Sequence, residues 1–164
     1  MDACPSGVEV FADASFLYYY FVSRPPLSDE CARFLARVDI AELLCHTSAS
    51  VVADVIHKVM MAQAADLHGS QRAGLLGRLR RHPELVAGLD AHLVVLPELQ
   101  RLGVVIHPLQ VRDLRDAAGI SCQHGLLTGD ALVLAVMQRL RLTHLATNDD
   151  DFERIPALAC YFPR

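Results

Sequence analysis

Short β-prone runs alternate with longer helical patterns, and this alternation constrains the fold more than any other feature of the sequence. The β-prone runs are residues 8–12, 43–46, 104–107, 143–147 and 158–162. Between them, apolar residues such as Val51, Val55 and Val59 recur with helical spacing. Parallel strands need crossover connections, which are usually helical. The pattern therefore predicts an α/β domain with a three-layer architecture, in which helices flank a central parallel sheet of about five strands.

The helices are predicted from apolar spacing and from residues that start or stop helices. They cover residues 14–22, 28–38, a long segment that begins after Thr47 or Ser48, and residues 70–81, 84–102, 109–118 and 131–141. Residues 119–129 contain three glycines and are predicted to form a loop or a broken helix. Asp130 is predicted to cap the helix that follows. No repeat or linker interrupts residues 1–164, which are predicted to form a single domain.

Composition and charge argue against several classes of protein. The apolar runs are shorter than the roughly 20 residues of a membrane-spanning helix, and residues 1–5 lack the features of a secretory signal, so we expect a cytoplasmic protein. The five cysteines form no Cys-x-x-Cys pair and no ligand pattern with the eight histidines, which favours buried reduced thiols over disulfides or zinc. A net charge of -4 gives no general attraction to nucleic acid, so any RNA contact must be local.

Acidic residues stand where predicted strands end. Asp13 follows the first strand, Asp149 follows the fourth, and Asp130 begins a helix after a glycine-rich approach. Because the carboxyl ends of parallel strands line one crevice, we expect these acids to lie close together. Carboxylates at such spacing raise one another's pKa, and a divalent cation keeps them ionised. Oxygen ligands favour Mg²⁺ or Mn²⁺ over zinc.

Four segments resemble, in order, the successive motifs of PIN-domain ribonucleases, in particular the VapC-like toxins of toxin–antitoxin pairs. They are residues 10–17, 53–58, 127–131 and 146–152. The resemblance spans nearly the whole chain. It implies a parallel sheet with an acidic pocket that holds Mg²⁺ or Mn²⁺. It also implies endonucleolytic hydrolysis of single-stranded or loop RNA, which leaves 5′-phosphate and 3′-hydroxyl ends.

The resemblance also implies roles for particular residues. The implied catalytic residues are Asp13, Asp54, Asp130 and Asp149, and the implied metal ligands are Asp13, Asp130, Asp149 and Asp151. Ser15, Thr147 and Asn148 are expected to hydrogen-bond the phosphate or metal-bound water. The family usually has Glu where this chain has Asp54, and the shorter side chain favours a water-mediated metal contact. Lys58, four residues after Asp54 on the same helical face, is expected to form a surface ion pair with it.

The resemblance implies an RNA substrate, a small antitoxin protein as partner, and a homodimer. The aromatic residues 18–21 exceed what one buried helix face requires, so they indicate either a partner surface or a helix packed on two sides. Asp54 in place of Glu supports an alternative function, a catalytically inactive PIN-like module that binds RNA or protein. An aspartyl-phosphate enzyme is disfavoured because residues 13–15 lack a second acid and the only lysine, Lys58, lies on a mid-chain helix.

Overall fold

The computed structural model of the protein describes residues 4–69, 72–156 and 158–163. Within them, five strands form one sheet. They are β1 (Glu9–Ala12), β2 (Leu44–Ser48), β3 (Val105–His107), β4 (His144–Ala146) and β5 (Ala159–Tyr161). The spatial order is β3-β2-β1-β4-β5, and all neighbouring strands are parallel. The predicted α/β class with a parallel five-stranded sheet is therefore confirmed.

The same described residues contain eight α-helices. They are α1 (Ala14–Phe21), α2 (Leu27–Asp39), α3 (Ala49–His68), α4 (Arg72–Arg81), α5 (Pro83–Ala87), α6 (Val95–Arg101), α7 (Val111–His124) and α8 (Thr128–Leu140). In the central strand β1, Val10, Phe11 and Ala12 are each 0% exposed. Because successive residues of a strand point to opposite faces, both faces of the sheet are covered at this strand.

The helix that follows β1 is anchored by aromatic packing. Phe16 and Phe34 are buried, and their rings meet edge to face with centroids 5.2 Å apart, which joins α1 to α2. Tyr18, Tyr19, Tyr20 and Phe21 are partly buried and pack against the main core. The start of α1, and with it the carboxyl end of β1, is therefore held firmly in place.

A buried ion pair fixes α7 against α8. Asp113 is fully buried, and Nε of Arg139 donates a hydrogen bond of 2.8 Å to its Oδ1. The Gln110 backbone N–H donates to Oδ2 at 2.8 Å, which completes a capping box at the start of α7. Burial raises the pKa of Asp113, but these donors outweigh it and hold the pKa below the usual value. The pair therefore fixes α8, the helix that carries Asp130.

Of the two alternatives predicted for residues 119–129, a loop or a broken helix, the structure has the broken helix, but the break covers only residues 125–127. Helix α7 continues through Gly119 to His124 and ends at Gly125, whose φ of 66° is the left-handed conformation that favours glycine. Ala117 and Ile120, on either side of Gly119, are buried in a cluster with residues of α8. This packing outweighs the low helix propensity of glycine.

The prediction that Asp130 caps a helix beginning at Ala131 is wrong. Helix α8 begins at Thr128 and its N-cap is Leu127, so Asp130 lies inside the first turn. No side chain caps this helix among the described residues, and the backbone N–H of Ala131 already donates to Leu127. A carboxylate in a first turn is still stabilised by the helix dipole.

The helix predicted over residues 84–102 is interrupted. The chain forms α5, a 3-10 turn (Ala91–Val94) and α6 instead, with Gly88 ending α5. The side chain of Gln63 on α3 accepts hydrogen bonds from the backbone N–H groups of Asp90 and Ala91, both at 3.0 Å. Tertiary hydrogen bonding thus replaces helical bonding at the break.

Other sequence-based expectations have mixed outcomes. Ser48 caps α3 as predicted, accepting from the Val51 N–H at 3.3 Å. Residues 70 and 71, predicted to begin a helix, lie outside the described residues. All five cysteines are free thiols, but only three are buried and Cys122 is exposed.

Among the described residues, no single helix has the length and apolar composition of a membrane span. Helices α7 and α8, which meet at a bend of 114°, reach that length and composition only as a pair.

Candidate active site

The carboxyl ends of β1 and β4 lie side by side and bring together residues far apart in sequence. Ala12 pairs with Ala146, and the Asp13 N–H donates to the Ala146 carbonyl at 2.9 Å. Parallel pairing in this register places Asp13 beside Thr147, the first residue after β4. The edge expected to collect the acids is therefore formed by these two central strands.

Asp13 is 6% exposed, and one of its carboxylate oxygens is saturated with hydrogen bonds. Oδ2 accepts from the Ser15 N–H at 3.2 Å, from Ser15 Oγ at 2.7 Å and from Thr147 Oγ1 at 3.1 Å. Oδ1 accepts no hydrogen bond from the residues that the structure describes. Asp13 is thus the N-cap of α1 and also has one oxygen available to a ligand.

Ser15 and Thr147 continue this network into the loop after β4. The Asn148 N–H donates to Ser15 Oγ at 2.8 Å, and the Asp149 N–H donates to Thr147 Oγ1 at 3.1 Å. Thr147 is fully buried, and its hydroxyl is occupied by these contacts. The two hydroxyl groups therefore fix the position of Asp149 relative to Asp13. The predicted substrate contacts of Ser15, Thr147 and Asn148 stay predictions.

Three half-buried carboxylates gather opposite this network. Oxygens of Asp130, Asp149 and Asp151 lie within 4.8 Å of one another. Asp149 begins the 3-10 turn Asp150–Arg154 and accepts from the Asp151 N–H at 2.9 Å, which sets the spacing between them. Arg154 forms an ion pair with Asp151 at 2.7 Å.

The electrostatics of Asp130 reflect this crowding. Partial burial and neighbouring carboxylates raise its pKa to about 6. The carboxylates responsible are those of Asp149, Asp13 and Asp151, in decreasing order, and the Lys58 ammonium opposes them. All these charges are thus close enough to shift the pKa of Asp130.

Asp54 extends from α3 toward the same acids. It lines a cleft of about 140 Å³ together with Asp13, Asp130 and Asp149. The predicted ion pair is present, with Lys58 Nζ 2.8 Å from Asp54 Oδ2. The structure thus brings together all four of the predicted catalytic acids, which come from β1, α3, α8 and the end of β4.

Two features of the site were missed by the sequence analysis. Ser50, in the first turn of α3, also lines the cleft, and its Oγ lies 2.9 Å from the Oγ of Ser48. Lys58 lines both the cleft and a second cavity beside it. The pair Ser48 and Ser50 at the start of α3 is a sequence signal that could have indicated Ser50. The position of Lys58 between the two spaces depends on how α1 and α3 pack, so no local sequence signal indicates it.

The donor set fits a hard divalent cation. Two ligands of one octahedral Mg²⁺ lie at most about 4.2 Å apart, given metal–oxygen distances of about 2.1 Å. The 4.8 Å limit for Asp130, Asp149 and Asp151 is within about 1 Å of that spacing. Among the described residues that line the cleft there is no sulfur or imidazole, and carboxylate oxygens in such a setting suit Mg²⁺ or Mn²⁺. These three acids therefore form a candidate metal site, and Asp13, which lines the cleft with Asp130 and Asp149, lies outside this group of three.

Three solved structures have the same fold as this chain. The VapC20 toxin of Mycobacterium tuberculosis, a sarcin-ricin loop cleaving toxin, shares 14% identity at a TM-score of 0.61, over 90% of this chain and 95% of that one. VapBC2 of Rickettsia felis, bound to a promoter DNA fragment, shares 17% sequence identity at a TM-score of 0.58, and the match covers 94% of this chain and 98% of that one. A toxin–antitoxin complex of Klebsiella pneumoniae shares 18% sequence identity at a TM-score of 0.53, and the match covers 92% of this chain and 95% of that one.

No curated protein matches the sequence. The PIN domain family does match, over residues 10–158. The matched region runs from β1 almost to β5 and includes every acid of the cleft. Both the order of the four motifs and the sheet that positions them agree with this match, so the chain belongs to the PIN domain family.

Proposed function

We propose that the protein is a metal-dependent endoribonuclease that hydrolyses phosphodiester bonds in single-stranded or loop RNA, as the toxin of a type II toxin–antitoxin pair. The observation that carries the proposal is the convergence of Asp13, Asp54, Asp130 and Asp149 on one cleft. An acidic cleft without bound cations repels a polyanion, so a metal-dependent reaction suits this charge pattern.

The chain's own residues prepare the site for hydrolysis. Asp13, Asp130, Asp149 and Asp151 would hold Mg²⁺ or Mn²⁺. The bound ion would supply Lewis-acid activation of water and would shield the phosphate from the carboxylates. Ser15 and Thr147 orient Asp13 through Oδ2 and leave Oδ1 available to a ligand. Asp54, paired with Lys58, lies at the edge of the cleft, where a water-mediated role suits its short side chain.

Purified protein should cleave a pool of structured RNAs with Mg²⁺ or Mn²⁺ and should fail to cleave it with EDTA. The reason is that the carboxylates need a cation before they can accept a phosphate. Product ends can be mapped by sequencing, and 5′-phosphates are expected. The Asp13→Asn variant is the control for contaminating nucleases. Cleavage that persists in EDTA or in this variant would contradict the proposal.

The second candidate function is a PIN-like module that binds RNA or protein without cutting. The Asp54–Lys58 ion pair favours it, because it occupies the carboxylate where the family usually has Glu. Metal binding by calorimetry together with no cleavage of any RNA would support this function over the first.

Asp54→Glu tests whether Asp54 occupies the family's second-acid position. The added methylene restores the family's usual side chain, so we expect RNA cleavage by this variant to equal or exceed that of the parent protein. Cleavage rates at equal enzyme concentration check this, with thermal unfolding as the control for folding. Complete loss of cleavage by a normally folded variant would remove Asp54 from the second-acid position.

We propose a small antitoxin and a second copy of this chain as protein partners. Support comes from the similarity in fold to VapBC2 and to the Klebsiella complex. Three apolar residues close together in sequence are also exposed, namely Leu93 (64% exposed), Val94 (57%) and Leu96 (41%). Exposed apolar patches of this kind are typical of protein interaction sites. Sedimentation equilibrium of the purified chain tests the homodimer, and copurification with the product of a neighbouring gene tests the antitoxin.

A further inference from the structure

A second cavity, of about 760 Å³, adjoins the acidic cleft. It lies between α1, α3 and α4, and Ser15 and Lys58 line both spaces. A molecule that fills the larger cavity therefore lies directly beside the candidate metal ligands. This volume is typical of sites for small molecules or parts of larger ligands.

Two hydroxyl groups in the wall of the cavity are not used by the fold, although their rings pack against the main core. Tyr18 and Tyr19 line it, and their hydroxyls have no hydrogen-bond partner among the described residues, whereas Tyr20 donates to Glu98 at 2.7 Å. The two rings are tilted by 59°, with centroids 5.6 Å apart. Aromatic faces of this kind hold unstacked bases of single-stranded RNA.

The charges of the cavity suit a phosphate backbone. Arg24 lines it, and no acid is paired with its guanidinium in the described parts of the chain. Asp66 also lines the cavity, on the side formed by α3. Lys58 places its ammonium where the cavity meets the cleft, with a side chain that is 41% exposed. In a chain of net charge -4, local cations of this kind are what bring a polyanion to the site.

We propose that this cavity is a nucleotide subsite, in which a base of single-stranded RNA stacks on Tyr18 or Tyr19 while Lys58 contacts the phosphate that leads into the cleft. The inference rests on the proposed function, since it places this nucleotide next to the bond to be cut. RNA is favoured over a protein segment because two cations line the cavity: Arg24 has no acidic partner among the described residues, and Lys58, although it is paired with Asp54, stands at the junction with the acidic cleft. Lys58 is here a positioning residue that acts on the substrate backbone.

Binding of RNA without cleavage tests the subsite. The probe is a fluorescent 12-nucleotide RNA of mixed sequence in Ca²⁺, with polyacrylamide gels to verify that it stays intact. Lys58→Met should weaken binding about tenfold at 0.1 M salt and lower the slope of log affinity against log salt by about 0.7. Lys58→Arg should restore both. Tyr18→Leu with Tyr19→Leu should weaken binding about tenfold.

Arg33→Met is the matched control, because it removes one cation from an exposed ion pair with Glu30 on α2 and lines neither space. It should change binding less than twofold. Equal affinity of the Lys58→Met variant and this control would overturn the proposal.

The single lysine allows a second test that needs no variant. An amine-reactive ester modifies Lys58, the only lysine in the sequence, and mass spectrometry of the peptide that contains it measures the rate. The same RNA in Ca²⁺ should slow this modification several-fold. An unchanged rate at saturating RNA would overturn the subsite and leave a protein segment as its occupant. Protection without cleavage in Mg²⁺ would support the subsite and contradict the proposed nuclease function.

Discussion

An Asp130→Asn variant should lose more than about 100-fold in metal-dependent RNA cleavage, since loss of a residue that only supports a metal ligand already costs 10- to 100-fold. Asp130 lies within 4.8 Å of two other carboxylates and in the same cleft as Asp13. Removing its charge takes one oxygen anion from the ligand set. Initial rates in Mg²⁺ and in Mn²⁺ measure the effect.

The Tm of the metal-free Asp130→Asn variant shows whether activity is lost because a metal ligand is missing or because the chain no longer folds. Burial and like charges raise the pKa of Asp130 to about 6, so its ionised form destabilises the folded chain at neutral pH. Asn relieves this repulsion. We therefore expect the metal-free Tm to stay equal or rise at pH 7, while the increase in Tm caused by Mn²⁺ becomes smaller. Full cleavage activity in Asp130→Asn would remove Asp130 from the metal site.

Arg139→Met should lower the free energy of unfolding by about 3 kcal/mol at pH 7, because it leaves the buried Asp113 carboxylate without its cation. For a domain of this size, that corresponds to a Tm about 6–12 °C lower. Urea denaturation followed by circular dichroism gives the free energy. The surface variant Arg33→Met should change it by less than about 0.5 kcal/mol.

The pH dependence of this difference has a definite sign. Hydrogen bonds from Arg139 and Gln110 hold the pKa of Asp113 below its usual value despite the effect of burial. The stability this provides is present above the unfolded pKa of about 3.9 and is lost as the pH falls through the folded value. Without Arg139, burial raises the pKa of Asp113 in the folded variant, so the gap in stability between Arg139→Met and the parent protein should narrow as the pH falls from this raised pKa to the lowered pKa of the parent. A double variant with Asp113→Asn should be more stable than Arg139→Met alone at pH 7, and a less stable double variant would contradict the argument.

The sheet was predictable because each strand is a short β-prone run that can be recognised in the local sequence. Strand β1 is a run of apolar residues that stops at an acid, and Val10 to Ala12 are buried as such a run predicts. A broken helix in the glycine-rich segment was predicted as one of two alternatives, but the predicted helix end at residue 118 is wrong, because local propensity favours a break at Gly119. Packing of Ala117 and Ile120 on α8 decides otherwise, and this tertiary contact cannot be read from a local window.

As with the fold, the features of the candidate site that depend on local sequence were predictable, and those that depend on tertiary contacts were not. The acids were found from their positions after strands and from the order of the motifs, and the ion pair of Asp54 with Lys58 followed from helical spacing. The hydrogen bonds of Thr147 to Asp13 and Asp149 depend on strand register, and the junction at Lys58 depends on the packing of α1 against α3. Both are set by three-dimensional contacts between distant segments.

The central place of β1 in the sheet has a consequence for how the protein is made. Its neighbour β4 pairs Val10 with His144, and the hydrogen bond from Thr147 to Asp13 spans 134 positions. A nascent chain that has left the ribosome only through α3 exposes Asp13 and Asp54 without the other carboxylates. Contacts so distant in sequence form late and slowly. The full set of acids that line the cleft can therefore form only after the residues around Asp149 have emerged from the ribosome.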